Sequence, residues 1–217
     1  LRDVVFGIAG DFEDPLRART FVKLSYRQGT GARNTSRLLN SRFGGHGDLP
    51  VATLSLLRFQ SAKILNSYFI FNARGQVTTK RVVSPNLFSI GGAGTVRGYP
   101  LAEHSGDNGY TLSAEYVLPF PFAIPVGLGK KHTLDKILSF SGFIEHGKVF
   151  VIDKQPGEKD REITGVGGGI RINIPKIKPL WPAVSFSANY AVPQFIGPLP
   201  SDGSFGAFYF SGLLTFF

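Results

Sequence analysis

The chain has 217 residues, among them 20 Phe and 27 Gly but neither Cys nor Met, a length that fits one large domain or two small ones. The absence of Cys excludes a disulfide framework and thiolate metal sites. The formal charge of +9 does not point to nucleic acid, because Arg17, Arg19, Lys23, Arg27, Arg33, Arg37, Arg42, Arg58, Arg74 and Arg171 are spread one at a time rather than in a patch or stripe.

No apolar run approaches the ~18 residues of a transmembrane helix, so a membrane protein of this sequence has to be a β-barrel. The chain begins at Leu1, which suggests the tail of a longer precursor with no signal peptide expected in this part.

Period-two alternation predicts a strand near Val4 to Gly10, followed by "ARTFVKLSYR", which separates Val22, Leu24 and Tyr26 from Arg19, Lys23, Ser25 and Arg27. A strand over Val51 to Ala62 alternates less cleanly, and one over Ser67 to Thr78 alternates well. The glycine-rich stretch "GGAGTVRGYP", Gly91 to Pro100, interrupts the series with a lone cation, Arg97.

Five further strands follow. "TLSAEYVLPF" sets Leu112, Ala114, Tyr116, Leu118 and Phe120 against Thr111, Ser113 and Glu115. "ILSFSGFIEHGKVF" sets Leu138, Phe140 and Ile144 against Ser139, Ser141 and Glu145. "ITGVGGGIRINIP" sets Val166, Ile170, Ile172 and Ile174 against Gly165, Gly167, Gly169, Arg171 and Asn173. "AVSFSANYAV" sets Val184, Phe186, Ala188, Tyr190 and Val192 against Ser185, Ser187 and Asn189. "AFYFSGLLTFF" ends on Phe217.

Each segment is near the ~10 residues of a tilted membrane strand. A soluble sandwich alternates similarly, but two features favour a transmembrane antiparallel barrel. Aromatics (Phe120, Phe122, Phe150, Trp181, Phe195, Phe208, Phe216) sit at strand ends, where interfacial girdles belong. Long polar connections also alternate with short proline-bearing ones such as "EDPL" and "PKIKPLWP".

The segment "FSIGGAGTVRGY", Phe88 to Tyr99, resembles the signature loop of the Omp85 superfamily, most closely that of its two-partner-secretion transporters. Three more segments agree in order. "SGDNGYTLSAEYVLP" is similar to the next strand. "GFIEHGKVF" is similar to the following one, written in the family as aromatic-x-Asp-x-Gly, with Glu145 here in place of Asp. "GVGGGIRINIP" is similar to the glycine-rich, then basic, strand after that.

The resemblance implies an all-β outer-membrane barrel of sixteen strands, of which residues 1–217 are the C-terminal nine. Four strands precede and five follow a signature loop at about 84–109, while the periplasmic POTRA domains and early strands lie outside this chain. It implies a Gram-negative-type outer-membrane location and a pore that exports a partner exoprotein, with outer-membrane lipid and the barrel-assembly machinery as further partners. An assembly or import factor, a passive porin and a basic soluble binding module remain open.

On this reading Val96, Arg97, Gly98 and Tyr99 form the loop motif, and Arg97 meets Glu145 inside the lumen. Phe143, Glu145 and Gly147 anchor the loop. Gly91, Gly92, Gly94 and Gly98 let it turn, and Gly165, Gly167 and Gly169 leave it wall space. Glu115 and Arg171, with Arg19, Lys23, Arg27 and Arg74, make a hydrated and net cationic wall. Gly212, Phe216 and Phe217 resemble the assembly signal of a last strand.

Catalysis and a cofactor are not expected, for want of any paired acid, base or nucleophile. His46, His104, His132 and His146 lack ligand spacing, and His146 alternates onto the lipid-side face. "GVGGGI" and "GLGKKH" fail the dinucleotide and P-loop patterns. "EKDRE" reads as a solvated loop, and the sequon at Asn34 as a chance match.

Overall fold

In the computed structural model, residues 3–29, 42–62, 64–127, 132–176, 182–194 and 197–216 are described. Arg33, Arg37, the sequon at Asn34, most of "GLGKKH", Trp181, Phe195 and Phe217 lie outside them.

Alternation over each segment yields strands β1 (Asp3–Asp14), β2 (Ala18–Gly29), β3 (Pro50–Ser61) and β4 (Tyr68–Thr78). The long connection after β4 holds two short strands, β5 (Phe88–Ile90) and β6 (His104–Gly106), which pair only with each other. Beyond it come β7 (Asn108–Pro119), β8 (Leu138–Phe150), β9 (Arg161–Ile174), β10 (Ala183–Pro193) and β11 (Ala207–Thr215). Among the described residues nine strands form one antiparallel sheet in the order β1-β2-β3-β4-β7-β8-β9-β10-β11, with four before the loop and five after it. Among the described residues β1 and β11 each have a neighbour on one side only.

The register carries one apolar face across the whole sheet. Phe6 lies opposite Tyr26 and Ile8 opposite Leu24, Leu112 opposite His146 and Ala114 opposite Ile144, and Phe186 opposite Gly212. Residues on this face are left uncovered: Ile8 is 76% exposed, Ile144 53% and Phe208 69%. Cross-strand rings pack on it, with centroids 4.9 Å apart for Phe69 and Tyr116 and 4.6 Å for Tyr190 and Phe208. An apolar surface this continuous is stable only against an apolar medium or another protein. Among the described residues no helix is long and apolar enough to cross a membrane, which says nothing of strands.

The buried cluster lies on the other face: Ile90, Val96 and Tyr99 of the loop pack on Val149 of β8 and Ile163 of β9, with Phe88 at its margin. The loop thus acts as a second layer over β8 and β9.

Three local features have physical causes. In β3, Leu57 and Phe59 turn to the loop-bearing side and Arg58 to the apolar side. There Arg58 donates to Asp14 at 2.7 Å, to Thr20 at 3.1 Å and to Gln60 at 2.8 Å. The strand leaves the apolar band beside the β1–β2 turn, which is why its alternation is weak. On the end with short turns, the β7–β8 connection is longer than expected. It folds on itself through a bridge between Pro125 and Thr133 and a single helical turn, α1 (Leu134–Ile137).

"EKDRE" is not a simply solvated loop either. Its Glu158 is held by Arg81 and Arg42, and its Asp160 accepts from Lys154 at 2.7 Å.

Candidate functional site

Gly91, Gly92 and Gly98 take φ of +109°, +89° and +97°, values that side chains rarely adopt. Gly94 differs: it has no positive φ, and an added Cβ would meet nothing within 4 Å, so its glycine is not needed for the turn. The turn closes on itself. The Gly92 N–H donates to the Val96 carbonyl at 3.0 Å, and the Gly91 N–H donates to Thr95 Oγ1 at 2.8 Å. This tight turn carries Val96 to Tyr99 down onto the wall.

There Arg97 meets Glu145. Its backbone N–H donates to Glu145 Oε2 at 2.7 Å, while Nε and Nη2 donate to Oε1 at 2.9 and 2.6 Å. Arg97 is 9% exposed and Glu145 5%. Burying two charges is costly unless geometry and further hydrogen bonds offset the lost water. Three charge-assisted bonds onto one carboxylate meet that condition. Glu115 lies 3.5 Å from the same Arg97 Nη2 and is itself paired with Arg171. The guanidinium also stacks on the Phe143 ring, with Cζ 3.3 Å from the centroid, a contact that strengthens when desolvated.

The wall glycines divide by role. A Cβ at Gly165 would strike the Arg97 carbonyl, and one at Gly147 would press on Ile90 and Val96 at 3.0 and 3.1 Å, so both admit the loop. Gly167 and Gly169 do not, contrary to expectation. A Cβ at Gly167 would collide with the Phe143 ring and the Tyr190 carbonyl, and one at Gly169 with Asn189 and the Ala188 carbonyl. Their space is used by the cation-stacking ring and by the neighbouring strand.

Within the expected net cationic wall several cations are paired: Arg171 with Glu115, Arg19 with Asp11 at 2.6 Å, and Arg27 lies 3.9 Å from Asp3. Gly212 sits in the β10–β11 ladder opposite Phe186, and Phe216 is exposed, both away from the loop.

Two sets of residues were not anticipated. At the end with long connections, Asp107 is fully buried and accepts from Arg42 at 2.5 Å, from the Val82 N–H at 2.8 Å and from the Ile152 N–H at 2.8 Å. Arg81 grips both oxygens of Glu158 at 2.6 Å. This side-chain bond holds the Glu158 carboxyl well below its ordinary 4.5, at about 2, and the same bond raises Arg81. Together they tie three connections to the loop's exit. The partners stand 65 and 77 residues apart in the chain, so no local spacing announces them.

The second is Tyr209 on β11, whose hydroxyl accepts from the Gly98 N–H at 2.9 Å. Only period-two placement on the loop-bearing face could have suggested it. Among the described residues no cluster of three or more His, Asp or Glu could hold a metal.

A family model described as haemolysin secretion/activation protein ShlB/FhaC/HecB matches residues 15–172. No curated protein matches the chain. Among solved structures, CdiB from Acinetobacter baumannii is similar with a TM-score of 0.67 at 20% identity, over 97% of this chain and 33% of that one. CdiB from Escherichia coli is similar with a TM-score of 0.68 at 14% identity, over 98% of this chain and 36% of that one. The chain therefore spans about a third of the solved proteins whose fold it shares.

Proposed function

The chain belongs to the haemolysin secretion/activation protein family ShlB/FhaC/HecB, and from that premise we propose that it forms part of an outer-membrane pore that secretes a partner exoprotein. In this reading the nine strands continue into a larger barrel through strands outside residues 1–217. The apolar face meets lipid and the loop-bearing face lines the lumen.

The observation that carries the proposal is the buried Arg97–Glu145 clamp, which holds a folded loop against the inner wall of a sheet of this family. A loop fixed inside a channel obstructs it in one position and steers a passing chain in that same position. Its placement thus controls both leak and transport. The open sheet supports continuation into further strands, since unpaired strand edges are not tolerated within hydrocarbon.

The test uses the full-length protein with its partner exoprotein in a Gram-negative host lacking both. Secreted partner should appear in the medium with the parent protein and be lost with Arg97→Ala, while barrel level and heat-modifiability persist. Unchanged secretion with Arg97→Ala would overturn the clamp's role. Conductance with no secreted partner under any condition would favour a passive porin.

A further inference from the structure

The backbone of the loop motif is held by side chains of two strands, β8 and β11. Arg97 and Gly98 offer successive backbone N–H groups. The first donates to Glu145 of β8 at 2.7 Å and the second to the Tyr209 hydroxyl of β11 at 2.9 Å. The same hydroxyl donates onward to the Tyr99 carbonyl at 3.4 Å, so one phenol bridges both ends of the Gly98–Tyr99 segment.

Gly98 fits against β10 at the same point: a Cβ there would stand 2.8 Å from the Val192 carbonyl carbon and 3.0 Å from the Pro193 nitrogen. A further contact holds the ascending side of the loop. The Glu103 carboxylate accepts from the Ser201 N–H and hydroxyl at 2.9 Å each, in the β10–β11 connection.

We propose that Tyr209 is a positioning residue for the signature loop, a second clamp by which the β10–β11 hairpin sets where the loop sits. A phenol suits this place because it both accepts and donates from one atom, so it satisfies a buried N–H and a carbonyl together. It is neutral, so the grip adds no third carboxylate beside Glu145 and Glu115. The loop's position thereby depends on the pairing of β11 as well as on β8, and a hairpin that is out of place releases the loop on that side. Only the functional consequence, altered secretion, rests on the proposed function; the positioning itself is read on the loop.

Residues 1–217 contain no Cys, so in the full-length protein, with any Cys outside them replaced by Ser, a spin-label pair at Gly94→Cys and Gly142→Cys reports the loop-to-wall distance. A Cβ added at either position meets no atom within 4 Å. The parent should give one narrow distance. Tyr209→Phe keeps the ring and loses the hydroxyl with both its bonds, and should raise the displaced population at least about fivefold, the effect of losing one ordinary hydrogen bond such as that from the Gly98 N–H. A role in packing alone would leave Tyr209→Phe silent, and an unchanged distribution in a folded barrel overturns the proposal.

If Tyr209→Phe does not fold, amide exchange on the parent decides. The Gly98 N–H should be protected like that of Arg97, and exchange at the rate of exposed Ala93 overturns the second clamp. Neither readout uses secretion, so a parent that secretes nothing would count against the proposed function and leave this inference standing.

Discussion

At the scale of the residue, the Arg97–Glu145 contact is asymmetric, and mutation should expose this. Arg97→Ala removes two side-chain bonds but leaves the backbone N–H on Glu145 Oε2. Glu145→Ala removes all three and leaves the buried guanidinium on the Phe143 ring, with Glu115 as its remaining carboxylate among the described residues, at 3.5 Å. Breaking a well-buried pair costs on the order of 3–5 kcal/mol. Glu145→Ala should stand toward the upper end for loop docking and Arg97→Ala toward the lower. The double mutant should be less than additive, because both changes remove the same contact. Strictly additive losses in loop-position or secretion assays would separate the two residues.

Glu158 makes a second prediction at this scale. Its carboxyl titrates at about 2 in the folded state against an ordinary 4.5. The folded value is depressed, so its contribution is fully present above pH 4.5 and is lost as pH falls toward 2. Proteolytic nicking of the connection at 151–160 should therefore rise across that window, and Glu158→Gln should flatten the dependence. A pH profile unaffected by Glu158→Gln would mean that the Arg81–Glu158 pair does not hold this connection.

At the scale of the element, β10 offers the plainest test of which face meets lipid. Its register places Phe186 and Ala188 on the apolar face and Ser187 and Asn189 on the other. Cys at Ser187 or Asn189 should react with a small hydrophilic thiol reagent in intact membranes, and Cys at Phe186 or Ala188 should be shielded. Equal labelling of both sets would contradict a lumen on the loop-bearing side.

In β9, Gly165→Ala should displace the loop, since its Cβ would strike the Arg97 carbonyl within a backbone-to-backbone contact that cannot give way. Secretion should fall without loss of the barrel, as measured by heat-modifiability.

At the scale of the whole molecule, the open sheet leaves β1 and β11 each unpaired on one side among the described residues. Backbone groups exposed in hydrocarbon are costly, so spanning sheets close. Residues 1–217 expressed alone should not give a heat-modifiable monomer in membranes, whereas the full-length protein should. A stable monomeric species from the short chain would mean that nine strands close by themselves, and the larger barrel would have to be given up.

The strands were legible because their cause is local. Alternation within a dozen residues decides which side chains share a face, and a chain such as "AVSFSANYAV" leaves little choice. The loop motif and its approach to Glu145 were legible for a different reason. Arg97 stood alone among glycines, and the resemblance supplied a partner that composition did not. The rest depended on contacts between distant segments. The Asp107 and Glu158 networks join residues 65 and 77 positions apart, and each member looks like an ordinary surface charge until the connections meet. Gly167 and Gly169 look identical to Gly165 in the sequence. Only the packed sheet shows that Gly165 receives the loop while the other two make room for Phe143 and Asn189. Tyr209 is one aromatic in a strand of aromatics, and its hydroxyl acquires meaning from a loop over a hundred residues away. Sequence alone determined faces and strands, because those follow from neighbours along the chain. Tertiary structure decided which groups are buried together, because burial and pairing belong to the assembled layers.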